Sequence, residues 1–256
     1  MNESRPLLAY ADNQRIAVDN RIRVQGRSNM TLLPDFFLVD IYNLSGEDEV
    51  YIRKAKKVWV CDENGMTLCS GSIEGFYRHE DGSNDVLSVS VSDGVDFWNG
   101  RVNVTVGSGA YVRDAIKTIL SGAEFGLFHC DDFRMMRGQT FSGRIADIIH
   151  IMAITVGARA YITGGVLNVV GKETVPNVKK IYDDDIIIDP QIIEHGMILK
   201  TKVRGYSVGN VVEYNRVMYR IIVQTVNVDN LMGEWSTEMT LIENEEFLRG
   251  GMEGGW

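Results

Sequence analysis

Apolar and polar residues alternate with a period of two through most of the first hundred positions, the signature of half-buried strands. In residues 15–25 the apolar set is Ile16, Val18, Ile22 and Val24, with Asp19-Asn20 as a turn. Phe37, Val39 and Ile41 then line one face of a strand whose other face carries Phe36, Leu38, Asp40 and Tyr42. Apolar groups on both faces mark a strand that is covered twice or shared with another surface. The alternation stops at Asn43-Leu44-Ser45. Ser45 can cap the acidic residues 46–49, which predicts a short helical turn anchored by Val50, Tyr51 and Ile52. Val58-Trp59-Val60 opens the next strand, and Asn64-Gly65 is a hairpin turn. Residues 68–77 return, with Gly71 and Gly75 as bulge or close-approach positions, and residues 86–91 pair back after a turn at 81–84. Such a meander suits a small barrel or sandwich.

After Gly109 the period becomes helical. Val112, Ala115, Ile116, Ile119 and Leu120 share one face, with Ser108 as the cap and Gly122 as the stop. A second helix is predicted over residues 142–156, with Ile145, Ile148, Ile149, Met152 and Val156 on one face and Gly157 ending it. Residues 159–162 and 166–170 form a hairpin across Gly164-Gly165. Strand patterns resume at 197–203, 208–214, 219–228 and 235–242. The fold class is therefore mainly β with an α+β insertion. The expected divisions are a first β domain over 1–100, an α+β domain over 101–176, a second β domain over 177–245 and a flexible glycine-rich tail over 246–256. The two β portions share a rhythm. Val58-Trp59-Val60, a hairpin and Gly71-Ser72-Ile73 resemble Val211-Val212-Glu213, a hairpin and Arg220-Ile221-Ile222.

Composition narrows the function. Of 256 residues, 45% are apolar and 24% charged, an ordinary globular balance with ample core. The net charge is −9, and residues from 181 onward hold thirteen acids against six bases. No Lys/Arg run offers a phosphate grip, which argues against stable nucleic-acid binding. Cys61, Cys69 and Cys130 are an odd set at irregular spacing, so small buried thiols are expected rather than a disulfide framework. No window of about eighteen apolar residues exists to cross a membrane. The first residues lack the apolar run of a signal peptide, which points to synthesis in a reducing cytoplasm.

Chemistry is sparse. His79, His129, His150 and His195 are scattered, and His129-Cys130-Asp131-Asp132 cannot converge on one ion from an extended strand. His150 is expected as a packed core or interface residue. Asp183-Asp184-Asp185 lacks the ligand alternation of a calcium loop and reads as a solvated turn. Gly107-Ser108-Gly109 precedes a helix but no Lys-Ser/Thr follows, so it is a linker rather than a phosphate loop. No catalytic residue, cofactor site or metal site is assigned.

The order of these segments resembles the tail-hub (baseplate hub) proteins of contractile-tailed bacteriophages and related contractile injection systems over residues 15–243. The residues that carry the resemblance are Ile41-Tyr42-Asn43-Leu44-Ser45 with Ile52-Arg53-Lys54, then Gly71-Ser72-Ile73. In the middle they are residues 138–142, 145–157 and Leu167-Asn168-Val169. At the end they are residues 209–212, Tyr219-Arg220-Ile221 and Asp229. The resemblance implies two tube-like antiparallel β-barrels separated by the α+β domain. It implies a homotrimeric ring of six similar barrels that joins a six-fold tail tube, or a tube-initiator protein, to a three-fold central spike protein. A tape-measure protein is a further candidate partner, DNA passes through the lumen only in transit, and no membrane binding is implied. The location implied is the virion tail baseplate, after assembly in the host cytoplasm. Phe36, Leu38, Tyr42, Tyr51, Trp59, Tyr219 and Trp235 are then the candidate subunit-interface residues. Acidic residues are expected to face the lumen and let phosphates slide past. The alternatives are a tail-tip enzyme that degrades peptidoglycan, and a β-rich module that binds a glycan or peptide.

Overall fold

The computed structural model describes residues 6–120, 125–171, 178–233 and 235–246. Its first β unit comprises β1 (Leu7–Ala11), β2 (Gln14–Ile16), β3 (Ile22–Asn29), β4 (Asp35–Tyr42), β5 (Lys57–Asp62), β6 (Thr67–Asp81) and β7 (Asn84–Asp93). Their hydrogen-bonded order is β3-β4-β7-β6-β5-β1-β2, antiparallel throughout. Ile16 of β2 and Val24 of β3 stand at opposite ends of that order, yet both belong to one buried cluster with Val39, Val60 and Val89. The sheet therefore curls round its own core.

The turns follow the sequence. Ser45 caps α1 (Gly46–Ile52), its side chain accepting the Asp48 amide, and Ile52 is fully buried beneath the helix. Val50 is exposed rather than anchored, because it falls on the outer side of this short helix of about two turns. Gly71 is a close-approach position, since a Cβ there would collide with the Ser92 carbonyl. Gly75 follows a register shift between Ile73 and itself, so the bulge expected in this strand is present.

The α+β part holds α2 (Val95–Asn99), β8 (Arg101–Val106), α3 (Val112–Leu120), β9 (Phe125–His129), β10 (Gln139–Arg144), α4 (Ile145–Thr155), β11 (Arg159–Thr163) and β12 (Val166–Val170). The inward faces of α3 and α4 pack on Val106, Phe141, Leu167 and Val169 in a second core. Gly157 has φ 65° just past α4, and Gly164-Gly165 turn the last hairpin with φ 60° and 74°. Two boundaries differ from the sequence pattern. Ser142, Gly143 and Arg144 do not begin α4; they finish β10, paired with Asn103, Val102 and Arg101, because the ladder outcompetes a weak helix start. Ser108 does not cap α3, which begins four residues later, and the Arg113 amide is instead held by the Asp132 carboxylate. His150 is exposed on α4 rather than packed. Gly122 lies outside the described residues, as does the tail beyond 246.

The second β unit holds β13 (Lys179–Lys180), β14 (Ile186–Ile193), β15 (Gly196–Lys202), β16 (Val211–Tyr214), β17 (Val217–Asp229) and β18 (Trp235–Glu243). The sequence reading missed β14, because Ile186-Ile187-Ile188-Asp189-Pro190 does not alternate and proline argues against a strand interior. Proline is tolerated here because β14 is an edge with two register shifts.

The two units are wired alike. Five strands in chain order, β14 to β18, pair as β14-β15-β18-β17-β16, just as β3 to β7 pair as β3-β4-β7-β6-β5. The longest strand of each, β6 and β17, is bulged at the matching place, Ile73/Gly75 and Ile221/Val223. The hairpin rhythm seen in the sequence is thus real at the level of elements, with a one-residue correction. Val58 faces Gly71 and Val212 faces Tyr219, so Val58 matches Val212 rather than Val211.

Candidate assembly surface

β3 pairs antiparallel with the second half of β17, from Val223↔Asn29 to Asp229↔Arg23, so both units share one 13-stranded sheet. Side chains reinforce this seam. Asp229, which is 2% exposed, accepts a forked pair from Arg21, at 3.1 Å from Nε and 2.7 Å from Nη2. Its other bonds come from the Leu231 and Met232 amides, both at 3.0 Å. Burial alone would raise the Asp229 pKa, but Arg21 and the two amides bring it below the usual carboxylate value. The Arg21 guanidinium also stacks 4.1 Å from the Tyr42 ring centroid, and Asn230 holds the Ile22 amide at 2.8 Å.

Residues directly opposite in antiparallel strands share a face, so the registers define rows across both units. One row runs Ser90, Leu38, Gln25, Asn227, Ser236, Lys202. The next row on that face runs Ser92, Phe36, Arg27, Thr225, Glu238, Lys200. The row between them, on the opposite face, includes Val91, Phe37, Val226, Thr237 and Thr201, all buried. The sheet thus has a core side and a polar side that crosses the seam unbroken. The polar side has mixed charge, with Arg27, Lys200 and Lys202 beside Glu238. The acid excess is not gathered on it, because many carboxylates serve instead as turn and cap groups around residues 47–49 and 183–185.

The candidate interface residues separate. Phe36 (59% exposed) and Leu38 lie on the polar side, and Trp59 is exposed on β5, stacked on Tyr10 at 4.7 Å. Tyr51 and Trp235 are half-buried against the first core. Tyr42 and Tyr219 are buried within the chain and have no surface to offer a partner. Tyr42 spends itself on Arg21 and on a hydrogen bond from its hydroxyl to Asp81, and Tyr219 on the third core with Leu199, Ile221 and Leu241. Apolar exposure that the sequence reading missed sits on β14, at Ile187, Ile188 and Ile192.

Two carboxylates face each other at one end of the β4–β7 ladder. Asp35 is opposite Asp93, and both are buried. Burial pushes the Asp35 pKa up to about 7, against the Asn29 amide bond that lowers it, and Asp93 adds repulsion. Asp93 is likewise raised by burial, though it accepts the Gly165 amide at 2.7 Å. Asp93 borders a cleft of about 810 Å³ between the three parts, lined also by Lys57, Trp59, Phe97, Ile162 and Tyr206. Among the described residues no group of three His, Cys, Asp or Glu side chains could hold a metal ion. Cys61 and Cys69 are free and buried, with burial pushing the Cys69 thiol up to about 12. No described helix is long and apolar enough to cross a membrane.

No protein-family model and no curated protein matches the chain. Solved structures do. A tail protein from Neisseria meningitidis superposes with TM-score 0.67 at 12% identity, covering 95% of this chain and 98% of that one. The 43 kDa tail protein of prophage MuSo2 from Shewanella oneidensis gives TM-score 0.68 at 9% identity, covering 93% and 98%. A type VI secretion component of E. coli, itself similar in structure to T4 bacteriophage tail proteins gp27 and gp5, gives 0.60 at 10% identity, covering 88% and 73%. The chain is similar to phage tail and contractile-injection baseplate proteins and has their fold.

Proposed function

We propose that this protein is a structural tail hub, a trimer whose three copies present six like units around a channel and so join a six-fold tail tube to a three-fold spike. The observation that carries this reading is the repeated strand order of β3–β7 and β14–β18. Two units of one connectivity in each chain let three chains offer six near-equivalent surfaces to one neighbour while remaining three-fold for the other. The likeness to tail and type VI secretion proteins supports the same placement. In this reading β domains span 1–100 and 177–245 around an α+β domain over 101–176, with packing that crosses those bounds: Val203, Val226 and Val228 join the first core, and Leu32 and Phe97 the second.

The protein's work is mechanical rather than catalytic. Its partners are further copies of itself, the tube or tube-initiator protein, the spike and a tape-measure protein, in the baseplate of a virion assembled in host cytoplasm. The polar side of the shared sheet lines the channel. Hydroxyls and amides there, with charges of both signs, give DNA a wetted wall with no continuous cationic stripe to bind it. Phe36 and Leu38 then belong to the wall instead of a subunit contact. Light scattering on the purified protein tests the reading. A particle of three times 28.7 kDa is expected, and a stable monomer at high concentration contradicts a preformed ring.

A further inference from the structure

We propose that the buried pair Asp35 and Asp93 is a pH-operated latch, seating the α+β part on the first β unit while one of the two is protonated and loosening it when both are charged. The device belongs to a single copy and does not depend on the trimeric reading. Fastenings from both sides of the junction end on the pair. Asp35 closes the turn between β3 and β4 by accepting the Asn29 amide at 2.9 Å. That turn reaches into the α+β part. The Thr31 carbonyl accepts the Ile162 amide at 3.2 Å, Leu32 is buried in the second core, and Met30 packs with Tyr161. Asp93 acts from the neighbouring strand, accepting the Gly165 amide at 2.7 Å and so holding the turn between β11 and β12. The next residue, Gly94, has φ 86° where the chain leaves β7 for α2, and a Cβ there would come within 3.2 Å of the Ile162 side chain. The β11–β12 hairpin is thus gripped twice, once through each carboxylate.

The grip and the charge are in conflict. Asp35 and Asp93 are 3% and 7% exposed and stand directly opposite in the β4–β7 ladder. Facing residues there are about 4.5–5.5 Å apart at Cα, so two ionised carboxylates would repel at close range with little water to screen them. The surroundings supply bonds but little countercharge. From β3 come Ser28 and Asn29, which hydrogen-bond Asp35. From the β11–β12 turn come the Gly164 and Gly165 amides on Asp93. The cation that acts on the pair is Lys57 of β5, which draws the Asp93 pKa down but is itself exposed. The other titratable groups nearby are acids. Glu74 of β6 accepts the hydroxyl of Ser92, and Asp12 and Asp96 line the cleft that Asp93 borders.

The cleft of about 810 Å³ puts water beside the pair, so a small separation of the ladder end hydrates both carboxylates. In the closed junction Asp35 keeps its proton up to about pH 7, whereas a hydrated Asp35 returns to its ordinary value of 3.8. The closed state therefore binds the proton more tightly, and raising the pH favours the open one. Opening becomes easier from about pH 4 to about pH 7 and levels off above, where both states have lost the proton. Acid tightens the junction and neutral pH loosens it. The part that moves is the β11–β12 hairpin, because its Ile162 and Gly165 amides are the bonds that cross to the turn and strand carrying the pair.

Amide exchange in the full-length protein, corrected for the intrinsic rate at each pH, tests the latch. Protection over residues 159–166 is expected to fall on the order of tenfold between pH 5 and pH 7 and to change little above about pH 7.5. The fall is expected to be insensitive to low urea, as local opening is. Asp35→Asn keeps an acceptor for the Asn29 amide and cannot ionise, so protection over the same residues is expected to stay high and flat with pH. Asp93→Asn keeps an acceptor for the Gly165 amide and removes the repulsion, so the midpoint of the fall is expected at lower pH. Equal protection at pH 5 and pH 7 in the unaltered protein overturns the latch. A fall that persists in Asp35→Asn, or one that grows with urea as steeply as global unfolding, overturns it too. Where Asp35→Asn does not fold, Asp93→Asn decides, and an unmoved midpoint counts against the pair.

Discussion

Asp35 and Asp229 are both buried carboxylates with opposite consequences. Asp35 has a folded pKa of about 7 against 3.8 as its ordinary value, so the folded state holds its proton more tightly. Its contribution is fully present below about pH 4 and is lost as the pH rises through 7. Asp35→Asn keeps an oxygen for the Asn29 amide and removes the charge facing Asp93. The variant is expected to be more stable at pH 8 by on the order of 2 kcal/mol, with no gain at pH 4. Urea unfolding across that range measures it; an unchanged pH slope contradicts the assignment. Asp229 has a lowered pKa, so its contribution is present at neutral pH and fades as the pH falls through that lowered value. Asp229→Ala removes the Arg21 fork and two amide bonds and is expected to cost about 2–4 kcal/mol at pH 7. A loss below about 0.5 kcal/mol in the same unfolding assay is what a merely solvated surface charge would give.

At the scale of elements, legibility tracked how local the cause was. The Ser45 cap, the Asn64-Gly65 and Gly164-Gly165 turns and the α3 face depend on neighbours within a few residues, and the chain states them directly. The start of α4 was misplaced because Ser142-Gly143-Arg144 is settled by pairing with Arg101, Val102 and Asn103, some forty residues away. β14 was unreadable because its one neighbour in the sheet, β15, and not its own alternation, holds it. Two of the candidate interface aromatics are buried in the chain for a similar reason. Tyr42 and Tyr219 look like Phe36 in a pattern of alternation, and only the fold shows that Arg21 and a third core claim them. The repeated rhythm of hairpins was visible one residue out of register, since equivalent strands share pairing order and a bulge position rather than residues.

At the scale of the molecule, one seam is made within the chain, and β14 ends the sheet order of the described residues. A chain that ended its sheet with exposed isoleucines and kept no partner for them would be prone to uncontrolled association. In the proposed trimer, repetition of one contact by rotation builds a ring of fixed size and gives such surfaces a partner. In that proposed ring an open bore, a polar face turned toward it and the six-for-three correspondence would all follow from the repetition. The most direct measurement is electron microscopy of the purified assembly viewed down its axis. The account predicts a three-fold ring with six lobes around a continuous open channel. A particle with three lobes, or copies related by a two-fold axis, would contradict it.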